Sequence, residues 1–147
     1  MNIIFEILYL FSAFYLLALY FSLFRNVVSH RRETKTSLGH KGEKLERVIR
    51  AHSNFCETVP FNLFLSLILY FNNYHFICFI SLLTMCAGRR IHADAISNIN
   101  EDLNKRRLGM KLTVTSYFIL IIGIVYYIGS VIYFYTLSKT FSTTILP

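Results

Sequence analysis

Glu46-Arg47-Val48-Ile49-Arg50-Ala51-His52-Ser53-Asn54-Phe55-Cys56-Glu57-Thr58-Val59-Pro60 runs straight into the apolar stretch Phe61–Phe71. Charge is confined to the first half of a segment that otherwise reads as membrane-crossing. At about 100° per residue, Arg47, Arg50, Asn54 and Glu57 fall within an arc of about 80°, so one stripe of the helix is ionic. Charge carried into a span is costly and normally faces a bundle interior or a wet cavity, which makes the stripe a site candidate. It suits a ligand that is itself zwitterionic. His52 points away from the middle of the stripe and fits a structural role better.

The rest of the chain supplies the membrane context. Of its 147 residues 54% are hydrophobic, and the mean hydropathy is +0.48. That share exceeds a soluble domain's, and the apolar residues come in blocks. Four blocks, Ile3–Phe24, Leu45–Phe71, Tyr74–Ser97 and Leu108–Leu137, approach the length needed to cross about 30 Å of hydrocarbon. The expected fold is an all-α membrane protein, a four-transmembrane-helix bundle, with residues 1–147 forming one domain. The first block lacks a basic leader, carries Glu6 and is too long for a signal peptide, so it reads as a retained span.

The net charge of +7 is unevenly placed. Arg25, Arg31, Arg32, Lys35, Lys41, Lys44, Arg47 and Arg50 lie between or at the edges of spans one and two. Arg89, Arg90, Lys105, Arg106, Arg107 and Lys111 gather around the junction of spans three and four. With four spans these regions share one side, and the positive-inside rule makes both basic loops cytoplasmic, with the termini and the Asn72-Asn73 turn outside. Topology and attraction to anionic lipid account for most of the charge, and a nucleic-acid partner is not expected.

Local signals refine the picture. Asn26–Glu43 reads as a polar loop, and Pro60 removes a backbone hydrogen bond, so a kink in span two is expected. The hairpin through Asn72-Asn73 makes spans two and three antiparallel neighbours. The apolar part of span three is short, so its helix is expected to continue through Gly88-Arg89-Arg90-Ile91-His92 towards Ser97, with Arg89 and His92 on one face. Asn98–Lys105, with Glu101 and Asp102, is a short loop. Cys56, Cys78 and Cys86 fall inside spans and read as small buried hydrophobes. The five histidines show no metal-ligand spacing, so no metal is expected.

Polar groups therefore collect at one level: Arg47, Arg50, Asn54 and Glu57 from span two, Arg89 and His92 from span three, Arg106 or Arg107 from span four. Snorkelling and topology explain Arg25, Arg31, Arg32, Arg90 and Lys111. Glu57 resists that explanation, because a carboxylate inside the membrane needs an arginine, a proton or a ligand ammonium. A polar ladder that only fixes helix packing or oligomerisation is the competing account of the stripe.

Glu46–Pro60 with the apolar run after it, Gly88-Arg89-Arg90-Ile91-His92, and Arg106-Arg107-Leu108-Gly109 resemble three signature segments of the MAPEG family, the membrane-associated proteins in eicosanoid and glutathione metabolism. The short Val59-Pro60 ending is similar to the small bacterial members, which implies a bacterial inner membrane. The resemblance implies a homotrimer that binds glutathione as co-substrate between subunits near the cytoplasmic face. On that basis Arg50, Asn54, Glu57 and His92 match glutathione-contacting positions, and Arg106 matches the arginine that stabilises the reactive thiolate. Arg47, Arg89 and Arg107 join the candidate binding set from their place at the same level. The implied activity is a glutathione-dependent transferase or peroxidase acting on hydrophobic electrophiles or lipid hydroperoxides. The alternative is a non-catalytic lipid-binding or scaffold protein of the same fold. Three departures stand out: Ser53 replaces an arginine common in the family's enzymes, Asp94 and Ile96 stand where a tyrosine is common, and Arg107 replaces a serine found in some members.

Overall fold

Four helices follow one another with short connections: α1 (Ile3–Glu33), α2 (Glu43–Phe71), α3 (His75–Ser97) and α4 (Leu103–Ile145). The computed structural model describes residues 3–145, with side chains described for 3–140. All four helices are long and apolar enough to cross a membrane.

The largest difference from the sequence reading is in α1, which continues beyond Phe24 to Glu33 and takes up much of the stretch read as a loop. Nothing in 26–33 breaks a helix, and His30, Arg31 and Arg32 in the last turn are favourable at its negative end. The helix stops at Lys35, whose φ of 50° is left-handed. The Thr36 N–H donates to Arg31 O and the Lys35 N–H to Arg32 O, a Schellman closure built without glycine. Asn73 (φ 67°) ends α2 in the same way, with the Tyr74 N–H on Leu69 O and the Asn73 N–H on Tyr70 O. That closure is the tight hairpin expected at Asn72-Asn73. Pro60 sits inside a continuous α2. At the other end of the bundle, α4 starts at Leu103, earlier than its apolar run suggests. Asp102 Oδ1 accepts the N–H groups of Asn104 (2.9 Å) and Lys105 (3.2 Å), a side-chain cap that extends the helix into the basic segment.

α3 is the central helix and packs against the other three, whereas α1 and α4 do not touch among the described residues. Lipid tails give no hydrophobic drive for helices to associate, so close contact and interhelical hydrogen bonds carry the assembly. α3 and α4 come into close backbone contact at Gly88 and Gly109. A Cβ on Gly109 would stand 2.7 Å from the backbone nitrogen of His92 and 2.8 Å from Gly88 O. Buried polar groups form the other tie. Asn62 Nδ2 of α2 donates to Ser116 Oγ of α4 (2.9 Å), and Ser116 Oγ donates to Ser81 O of α3 (2.9 Å). Nearer the Asn72 turn, Tyr9 of α1 and Ser66 of α2 share a hydrogen bond of 3.0 Å. Cys78 and Cys86 are buried as expected, but Cys56 is exposed on α2, with Sγ 3.6 Å from His52 Nε2. One residue, about 100° around the helix, separates it from the core residue Phe55.

Candidate functional site

The first turns of α2 are acidic and basic by turns, Glu43, Glu46, Arg47, Arg50, and so carry both signs on one side of the helix. The five residues 98–102 then bring the start of α4 back against them. Because Asp102 caps α4, Glu101 is fixed just outside the helix, where it meets two arginines from different elements. Arg106 Nη1 donates to Glu101 Oε1 at 2.8 Å, and Arg47 Nη1 donates to Glu101 Oε2 at 3.1 Å. Arg47 also donates through Nε to Glu43 Oε1 (2.9 Å) and reaches Ile96 O at 3.4 Å. The Arg106 guanidinium first, and Arg47 after it, hold the Glu101 carboxyl below the usual carboxylate range. Lys44 Nζ donates to Ser97 O (2.8 Å) and closes the same corner.

Between these groups lies an open cleft of about 520 Å³, lined by Glu43, Glu46, Arg47, Arg50, Asn54, Ile96, Glu101 and Arg106. Its volume is that of a small-molecule site. Three arginines face three glutamates across it, so it is zwitterionic and not simply cationic. Arg50 is exposed and has no hydrogen bond or ion pair with another described residue. It is the cleft's unengaged cation.

Of the residues singled out in the sequence, Arg47, Arg50, Asn54 and Arg106 line this cleft. The others stand elsewhere. Arg89 is 2% exposed and lies behind the cleft. Its Nη1 donates to Asn54 O and Thr58 Oγ1, both at 3.3 Å, and its Nη2 reaches Met110 Sδ at 3.5 Å. Its Nε has no partner. Arg89 thus joins α2, α3 and α4 from within. His92, 3% exposed, is beside it at the Gly88–Gly109 crossing, its Cβ 2.7 Å from where a Cβ on Gly109 would stand. Arg107 is exposed and does not line the cleft, since one residue turns the side chain by about 100°. Glu57 is exposed on the outward face of α2, seven residues and two turns from Arg50, without a hydrogen bond or ion pair to another described residue. His52 packs its ring against Tyr20 of α1, centroids 5.4 Å apart, away from the stripe. Tyr117, about three turns further along α4 than Arg106, donates its hydroxyl hydrogen to Thr58 O.

The residue that sequence reasoning passed over is Glu101, along with Glu43 and Glu46. A signal existed: Glu43 and Arg47 are four apart, and Glu101 immediately precedes an aspartate placed to cap a helix. What the sequence did not show is that one carboxylate would serve both Arg47 and Arg106.

Among the described residues no group of histidine, cysteine and carboxylate side chains is arranged to hold a metal ion. The chemistry available is that of arginine forks and carboxylates: binding a molecule with both charges, and stabilising an anion beside Arg106. No curated protein and no solved structure matches the chain. The sequence model of the MAPEG family matches residues 9–126, a stretch that takes in α2, α3, the cleft and the Gly88–Gly109 crossing. The chain therefore belongs to the MAPEG family of integral, multi-pass membrane proteins, a family of glutathione-related transferases and peroxidases.

Proposed function

We propose that this protein is a glutathione-dependent transferase or peroxidase whose co-substrate lies in the cleft at the start of α2 and α4. The observation that carries the reading is Arg50: a cation exposed in a cleft of about 520 Å³ and left without a protein partner among the described residues. Glutathione has two carboxylates and an ammonium. Arg50 and Arg47 suit the carboxylates through forked hydrogen bonds, Glu43 or Glu46 suits the ammonium, and Asn54 supplies an amide. The thiol then lies towards Arg106. A free thiol titrates near pH 8.5, and a guanidinium beside it raises the fraction present as thiolate at neutral pH. The thiolate sulfur bonds to the electrophilic carbon of an apolar substrate arriving from the bilayer and displaces its leaving group. With a hydroperoxide it attacks the oxygen, the O–O bond breaks to release the alcohol, and a second glutathione reduces the resulting sulfenic acid to glutathione disulfide and water. On this reading Glu57, His92, Arg89 and Arg107 do not touch the tripeptide within one subunit. Glu57 faces outward, which supports a homotrimer in which neighbouring α2 faces close over the cleft near the cytoplasmic side.

One observation favours the rival, a non-catalytic lipid-binding or scaffold protein: Glu101 already neutralises Arg106, and Tyr117 is engaged elsewhere. Calorimetry of detergent-purified protein with millimolar glutathione separates the two. Binding that is lost in Arg50→Ala, with a thiolate absorbance lost in Arg106→Ala, supports the enzyme. No heat and no thermal shift in the wild type supports the scaffold, and unchanged thiolate in Arg106→Ala removes that residue from the mechanism.

A further inference from the structure

A pair of cavities lies along α1 and α3, one of them also lined by Lys44 at the start of α2. The apolar one, about 600 Å³, is lined entirely by those two helices. Ser12, Cys86 and Ala87 are the small residues along it, and the exposed side chains of Phe11, Tyr15 and Leu83 rise on either side. Cys86 Sγ reaches Ser12 O at 3.4 Å, which keeps the helices close there. Arg90 ends this groove and also lines the next cavity, a polar cleft of about 370 Å³ that includes Asn26, Lys44 and Asp94. The two form one seam, apolar and then polar, joined at a single arginine.

Its dimensions and its charge point to one kind of occupant. From Phe79 to Arg90 the groove follows twelve residues of α3, a rise of about 16 Å. That is about half of a hydrocarbon core about 30 Å thick, a length comparable to one acyl chain. Arg90 is fifteen residues, about 22 Å, along α3 from His75 at the Asn72 turn, so in a core about 30 Å thick its long side chain snorkels the remaining distance of about 8 Å towards the headgroups. Its Nε pairs with Asp94 Oδ2 at 2.8 Å, and neither Nη has a partner among the described residues. Lys44 gives one hydrogen bond, to Ser97 O, and keeps further donors. Arg90 and Lys44 against Asp94 leave the cleft with one net positive charge. A phosphodiester with no ammonium in its headgroup matches that charge, whereas a zwitterionic headgroup leaves it uncompensated.

We infer that the α1/α3 seam is a binding site for a single anionic phospholipid, with one acyl chain beside Ala87 and its phosphate on Arg90 and Lys44. The site is separate from the cleft at Arg50 and does not depend on thiol chemistry there.

The test is native mass spectrometry of the intact assembly released from bilayers of equal phosphatidylglycerol, phosphatidylethanolamine and phosphatidylcholine. One net charge near a membrane surface corresponds to a preference for phosphatidylglycerol of about fivefold. Arg90→Gln, a change at an exposed side chain, should bring the three lipids level. Ala87→Trp should fill the groove and remove bound lipid of every class, while Val125→Trp, on the exposed face of α4, should not. If Ala87→Trp does not fold, Arg90→Gln carries the test. Equal retention of the three lipids by the wild type overturns the inference. So does unchanged preference in Arg90→Gln. Loss of subunits in place of lipid from Ala87→Trp would make the groove a contact between copies, and also overturns it.

Discussion

Replacing Gly109 by alanine isolates the contact on which the geometry of the site rests. The added Cβ would lie 2.7 Å from both Cβ and N of His92 and 2.8 Å from Gly88 O. Carbon contacts are relaxed at about 3.5–4.0 Å, so α3 and α4 must part by about 1 Å. Backbone atoms cannot rotate out of the way, and overpacking of this kind costs about 1–3 kcal/mol. Alanine also favours a helix over glycine by about 1 kcal/mol, which obscures the result if the variant is compared with wild type alone. Gly129→Ala on the same helix supplies the reference. A Cβ there meets nothing within 4 Å, so it receives the propensity gain without the clash. The difference between the two variants is then the clash itself, about 2 kcal/mol, or about thirtyfold in an opening equilibrium. Buried Cys78 and Cys86 provide the readout in a Cys56→Ser background, since thiol reagents label them only when the bundle opens. Gly109 is one turn from Arg106, so the same variant should also weaken glutathione binding. Gly109→Ala labelling no faster than Gly129→Ala would show that the helices are not held apart by backbone contact, and the account of the crossing would be wrong.

Other expectations follow from individual side chains. Glu101 has a depressed pKa, so its clamp on Arg106 and Arg47 is fully formed above the ordinary value of 4.5 and is lost as the pH falls through the lower folded value. Glu101→Gln should flatten thermal stability across that acidic window, and an acid profile equal to wild type would discount the clamp. Arg89 fills a buried space without a carboxylate partner, so Arg89→Met should remain within about 1 kcal/mol of wild type. Arg89→Ala, which leaves a cavity, should lose about 2–5 kcal/mol by the same labelling assay. Loss of glutathione binding in a well-folded Arg89→Met would return Arg89 to the ligand's immediate surroundings.

Much of this fold can be read from the chain because membrane helices are announced by composition. The four apolar blocks and the Asn72-Asn73 turn follow from hydrocarbon thickness and backbone closure. The ends of α1 and α4 do not, because polar and basic residues continue a helix as readily as apolar ones once nothing breaks it. The stripe Arg47, Arg50, Asn54 follows from helical period alone, and the cleft contains all three. The period does not say which of its members will find an acid elsewhere in the chain. By sequence alone Arg89 and His92 belong with the stripe, because they lie at its depth. Their burial depends on the Gly88–Gly109 approach, and the closeness of two helices cannot be read from either one. Glu101 went unnoticed for a related reason: its partners are set by the cap at Asp102 and by the return of α4.

The position of Glu57 constrains what the assembled protein must look like. Fourteen residues of α2, about 21 Å, separate it from Phe71 at the helix end. With the Asn72 turn at one interface, a core about 30 Å thick extends about 9 Å beyond Glu57 towards the basic side. An exposed carboxylate at that depth is tolerated only where something other than lipid covers it. The outward faces of α1 and α4 carry residues such as Phe11, Phe14, Ile122 and Val125 and need no cover. The α2 face, with Arg50 and Glu57, does. In the proposed trimer this is therefore the face that meets the neighbouring subunits. The α1/α3 seam, to whose apolar groove α2 contributes nothing, is left to the bilayer. The same argument from charge thus assigns one side of the subunit to protein and glutathione, and the other to lipid.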